Sequence, residues 1–157
     1  MRRIIPYGLE LPTANGLYWR HGTECQSSLA DIEATPDLLE RALKLSGVVT
    51  TLFRAHGFPL VVVGGSAAEF YTEGGYMSGD IDFCRKSLKS IPPRLMQEVI
   101  AELGGRGVSR SWLVCGLYVD LLGVLECESL LPMREVETPY GTISIIPPRN
   151  WRLSNAY

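Results

Sequence analysis

The chain has 157 residues, enough for one domain with a core of its own, and its 46% hydrophobic and 20% charged composition is that of an ordinary water-soluble globular protein. No apolar run approaches the length needed to cross a bilayer, so no membrane partner is expected. Met1-Arg2-Arg3-Ile4-Ile5-Pro6 is not followed by the apolar stretch of a signal peptide, and a net charge of -2 without a Lys/Arg stripe argues against holding long nucleic acid by its phosphates.

Four cysteines, Cys25, Cys84, Cys115 and Cys127, show no Cys-x-x-Cys spacing, which favours reduced thiols in a cytoplasmic protein over disulfides or zinc. Residues 1–34 are rich in Gly, Pro, Thr and Ser without sustained periodicity and read as an irregular lead-in, with a short strand around Leu17 to Trp19 and a solvated His21. The core is expected over residues 35–146. Thr35-Pro36-Asp37 then opens a helix with a capping hydroxyl, Pro at the first position and an acid in the first turn. Leu38, Leu39, Ala42, Leu43, Leu45, Val49, Leu52 and Phe53 recur at helical spacing, His56 caps the end or faces solvent, and Gly57 with Pro59 closes it.

The stretch Leu60 to Cys84 follows. Val61-Val62-Val63 predicts a buried strand that feeds into Gly64-Gly65-Ser66, where the backbone turns sharply with room for a ligand. Ser66 is expected to start a helix, whose first N–H groups and dipole suit a phosphate. Ser66-Ala67-Ala68-Glu69 also reads as a capping box, in which Ser66 serves only the helix start. In the next predicted strand, Gly79 to Cys84, period two puts Asp80 and Asp82 on one face and Ile81 and Phe83 in the core. Two adjacent acids suit a hard divalent cation such as Mg²⁺; a turn residue and a paired surface acid are the structural alternative. Arg85 and Lys86 come next, placed to neutralise a triphosphate or simply solvated.

Pro92-Pro93 opens a second helix with a Leu95, Met96, Val99, Ile100, Leu103 stripe, closed by Gly104-Gly105. Ser109 to Val114 and Leu117 to Leu122 read as strands around Cys115-Gly116, which leaves Asp120 inside an apolar strand, where a metal or a buried salt bridge would satisfy it. Val136 to Pro139 and Thr142 to Ile146 predict a hairpin about Tyr140-Gly141.

The order of strand, Gly64-Gly65-Ser66, helix and Asp80-Ile81-Asp82, with Asp120 on a later strand, resembles the nucleotidyltransferase superfamily, whose palm domain is shared with DNA polymerase beta. The Tyr76 to Asp82 segment looks most like the minimal nucleotidyltransferases related to abortive-infection toxins of toxin-antitoxin pairs. The resemblance spans Leu60 to Gly123 and implies a single α/β (α+β) palm over residues 1–157, a twisted mixed sheet with the acids on one face and the helices on the other. It implies that Asp80, Asp82 and Asp120 are catalytic and hold Mg²⁺ or Mn²⁺. Gly64, Gly65, Ser66, Arg85 and Lys86 would then bind a nucleoside triphosphate such as ATP. The nucleotidyl acceptor would be RNA, a protein hydroxyl or a small molecule. Toxin-like relatives tend to carry an arginine where this chain has Tyr76, and larger ones continue into further helices past the point where this chain ends. The N-terminal lead-in, a partner subunit or a second copy would then complete the pockets, or the chain is a non-catalytic nucleotide- or partner-binding module.

Overall fold

The computed structural model describes residues 4–5, 9–10, 23–72, 79–108, 110–125 and 133–146. In chain order these form β1 (Ile4–Ile5), β2 (Leu9–Glu10), α1 (Thr23–Ala34), α2 (Leu38–Ala55), β3 (Leu60–Val63), α3 (Gly64–Tyr71), β4 (Asp80–Arg85), α4 (Pro93–Glu102), β5 (Arg106–Val108), β6 (Ser111–Val114), β7 (Leu117–Val124), β8 (Arg134–Thr138) and β9 (Gly141–Ile145). The architecture is mixed α+β. Seven strands make one mixed sheet in the order β5-β6-β7-β4-β3-β9-β8, and β1 pairs with β2 separately.

Valine-rich strands favour the pleated backbone, and burial on both faces demands hydrogen-bonded neighbours on both sides. β3 has them: β4 runs antiparallel on one side and β9 parallel on the other. β4 in turn pairs in parallel with β7, which continues antiparallel through β6 to β5. The core gathers Leu45, Val49, Leu52 and Phe53 of α2, Val61 and Val62 of β3, Ile81 and Phe83 of β4, and Ile143 and Ile145 of β9, all at or below 1% exposure. On β6 and β7 the side chains alternate between buried and open, so among the described residues one face of this half of the sheet is uncovered, while β3 and β9 are buried on both faces.

Three sequence expectations need correction. Residues 23–34 are not part of an irregular lead-in but form α1, with Ile32 fully buried on it; the polar residues there hid a helix that packs through few apolar positions. Leu17 to Trp19 and His21 lie outside the described residues. The cap of α2 is Asp37, which accepts from the Glu40 N–H at 2.9 Å, whereas the Thr35 hydroxyl donates to the Asp31 carbonyl and closes α1. The last hairpin turns at Pro139-Tyr140, one residue earlier than predicted, because Tyr140 is drawn into the core and its hydroxyl donates to Asp31 at 2.6 Å. No helix among the described residues is long and apolar enough to cross a membrane.

Candidate functional site

Alternation along β4 turns Ile81 and Phe83 inward, leaving Asp80 and Asp82 half-buried on the other side. Asp82 stands in register with Asp120 of the parallel neighbour β7, and Asp80 with Tyr118. In-register residues on neighbouring strands share a face at roughly 5 Å backbone spacing, so the carboxylates of Asp82 and Asp120 stand side by side.

The turn from β3 into α3 meets this pair. Gly64 adopts φ 65, a left-handed conformation that glycine takes without strain, and a Cβ there would come within 2.9 Å of Asp82 Oδ2. The next residue is different: around Gly65 a Cβ would meet nothing within 4 Å. Ser66, almost fully buried, donates to the Val63 carbonyl at 2.8 Å and accepts the Asp82 N–H at 3.0 Å. The capping-box reading of Ser66 is therefore corrected. The N-cap is Val63, no side chain caps the helix, and Ser66 ties the first turn of α3 to the strand that carries Asp82.

Electrostatics register the crowding. The Asp82 carboxyl is pushed up to about 6 by its burial first, then by the negative charges of Asp120 and Asp80, with Glu69 adding to them. Asp120 Oδ1 is buried with no hydrogen-bond partner among the described residues. A buried acceptor beside a like charge is costly unless a cation or donor arrives. Among the described residues no group of three or more His, Cys, Asp or Glu is arranged to enclose a metal ion. A small hard cation needs less: Mg²⁺ is commonly held by one or two carboxylates, with water and phosphate oxygens in its other positions. Asp82 and Asp120 fit that requirement.

Arg85 and Lys86 are not brought to this pair. Period two puts Arg85 on the opposite face of β4, where its Nη1 donates to the Lys89 carbonyl. Lys86 lies four residues beyond Asp82, about 13 Å at the rise of a strand, and donates to Ser144 Oγ at 3.3 Å. Two features escape sequence reading. Glu69, read as a capping partner, is buried on α3 and its charge reaches Asp82. Tyr118 and Leu122, on either side of Asp120, are half exposed on its face; alternation in β7 was the available signal. No protein-family model matches the chain, and neither a curated protein nor a solved structure does.

Proposed function

We propose that the chain is a metal-dependent nucleotidyltransferase with a palm-like sheet, moving a nucleotidyl group from a nucleoside triphosphate to a hydroxyl acceptor with release of pyrophosphate. One observation carries the reading: Asp82 and Asp120 stand in register on a half-open sheet face, with the uncapped start of α3 against Asp82. Asp82 and Asp120 would hold Mg²⁺ or Mn²⁺, with the charge of Asp80 at the head of β4 acting on Asp82. When bound, the cation neutralises phosphate charge and makes an acceptor hydroxyl easier to deprotonate.

The chain's own residues do the rest by position and charge. The open space at Gly65 admits a phosphate to the first N–H groups of α3, where the positive end of the helix dipole lies. Ser66 fixes that helix start relative to Asp82 through the 3.0 Å bond to the strand backbone. Asp120 orients the acceptor hydroxyl, whose oxygen forms the new bond to the α-phosphorus. The bond from that phosphorus to the bridging oxygen breaks, pyrophosphate leaves with the electron pair, and the hydroxyl proton passes to solvent.

The placement of Arg85 and Lys86 away from the acids favours a second reading, a binding module of the same fold without transfer activity. Incubation with each of the four labelled triphosphates, Mn²⁺ and total RNA or lysate separates the two. Label transfer that Asp82→Asn abolishes supports the enzyme. Metal-dependent triphosphate binding without transfer to any acceptor supports the module. Absence of both rejects the site.

A further inference from the structure

α4 and the β5 to β7 half of the sheet line a common space. Between this helix, the end of β4 and strands β5 to β7 there is a cavity of about 700 Å³, the size of many small-molecule sites. Arg85 and Arg110 both line it, and among the described residues no Asp or Glu does. Among the described residues Lys44 meets Asp31 and Glu40 and Arg94 meets Glu98, whereas Arg41 and Arg54 donate to backbone carbonyls. Among the described residues the two cavity arginines bond only to backbone carbonyls, Arg85 to Lys89 and Arg110 to Leu122 at 2.9 Å. Each such bond fixes one arm of a guanidinium that has five N–H donors, so most of its donors stay free for a ligand.

The start of α4 adds to the positive character, since Ser90, Ile91 and Pro93 line the cavity and the N-cap Pro92 supplies no side-chain acceptor. The rest of the lining is largely apolar, from Met96 and Ile100 of α4 and Trp112 and Leu121 of the sheet. At Gly123 a Cβ would meet nothing within 4 Å, so the floor is open there. Leu121 faces the cavity and its neighbour Asp120 the other side of the sheet, which separates this space from the acids.

We infer that this cavity binds a phosphate monoester with an apolar or ring-shaped body. A phosphate monoester is largely dianionic at neutral pH and matches two guanidinium groups without a counter-charge, and guanidinium forks bind phosphate oxygens two at a time. The apolar lining takes the body of the molecule. The site works without metal, so it stands or falls independently of the acid pair.

Isothermal titration in EDTA with 5′-AMP, adenosine and inorganic phosphate as probes tests it. AMP should bind the wild type, and adenosine and phosphate alone should bind at least tenfold more weakly. Arg110→Glu and Ala101→Glu, two exposed positions on the cavity rim, should each weaken AMP at least tenfold while thermal melts show a folded protein. Asp82→Asn should bind AMP as the wild type does. No AMP binding at millimolar concentration overturns the inference, as does binding that both rim variants leave unchanged. Loss of binding in Asp82→Asn with retention in Arg110→Glu also overturns it, by placing AMP at the acids.

Discussion

Replacing Asp82 with Asn removes a charge while keeping the side-chain shape and the backbone N–H that Ser66 accepts. The wild-type carboxyl is pushed from its usual 3.8 to about 6, by burial first and by the charges of Asp120 and Asp80 next. At about 1.36 kcal/mol per pKa unit the gap corresponds to roughly 3 kcal/mol. Asp82 is only half-buried, and solvent screening reduces this to roughly 1 to 1.5 kcal/mol. The folded chain holds the proton more tightly than the unfolded chain. The stabilising contribution is therefore complete below pH 3.8 and is lost as pH rises through about 6. At pH 8 in EDTA, Asp82→Asn should melt about 2 to 6 °C above wild type, the shift expected for a chain of this size, and at pH 4 the gain should vanish. Mn²⁺ at pH 8 should raise the wild-type melting temperature by mass action and leave the variant where it was. Melts followed by circular dichroism between pH 4 and 8, with and without Mn²⁺, give the answer. A variant less stable than wild type at both ends of the range, with or without metal, would refute the like-charge cluster and the metal site with it.

Gly65→Val should leave the fold intact, because the added Cβ has open space, yet lower nucleoside triphosphate affinity in Mg²⁺ at least tenfold by filling the approach to the α3 N–H groups; unchanged affinity in equilibrium dialysis rejects that phosphate site. Tyr140→Phe removes the 2.6 Å bond to Asp31 and should cost about 1 to 2 kcal/mol in urea unfolding at pH 7. The Asp31 carboxyl is held below its usual range by that hydrogen bond, against the opposing effect of burial, and then by Lys44. This contribution is present above pH 3.8 and lost as pH falls through the lowered value, so the deficit of the variant should shrink in acid; an equal deficit at pH 7 and pH 2 contradicts it.

Local grammar made much of this fold legible. Val61-Val62-Val63, the Leu stripe of α2 and Pro92-Pro93 each state their element through backbone preference and periodicity, and the structure has β3, α2 and α4 there. The alternation in Asp80-Ile81-Asp82 predicted that both acids share a face, and the burial pattern of β4 agrees. What sequence could not supply was register between distant strands. That Asp82 faces Asp120, rather than a neighbour two residues away, depends on how β4 and β7 align in parallel. Nothing local encodes that alignment. Arg85 is a different case: it lies three residues past Asp82, an odd offset that puts a strand side chain on the opposite face, so the alternation itself places it away from the acids. α1 escaped for another reason: its polar residues, helix-compatible but not periodic in apolar positions, carry no stripe to read.

The pairing of β3 with β9 also governs the order in which the molecule can assemble. Val62 lies opposite Ile145, and the Ile146 N–H donates to the Val62 carbonyl at 3.0 Å. The same hairpin is fastened to α2, where the Thr51 hydroxyl donates to the Tyr140 carbonyl and Arg54 to that of Thr142. These contacts join segments far apart in the chain, so their closure is slow and comes after β3, β4 and α2 have been synthesised. Until Gly141–Ile145 has left the ribosome, Leu60–Val63 presents an unpaired, wholly apolar edge on the side away from β4. A nascent chain stalled or cleaved before that point carries a template for edge-to-edge association.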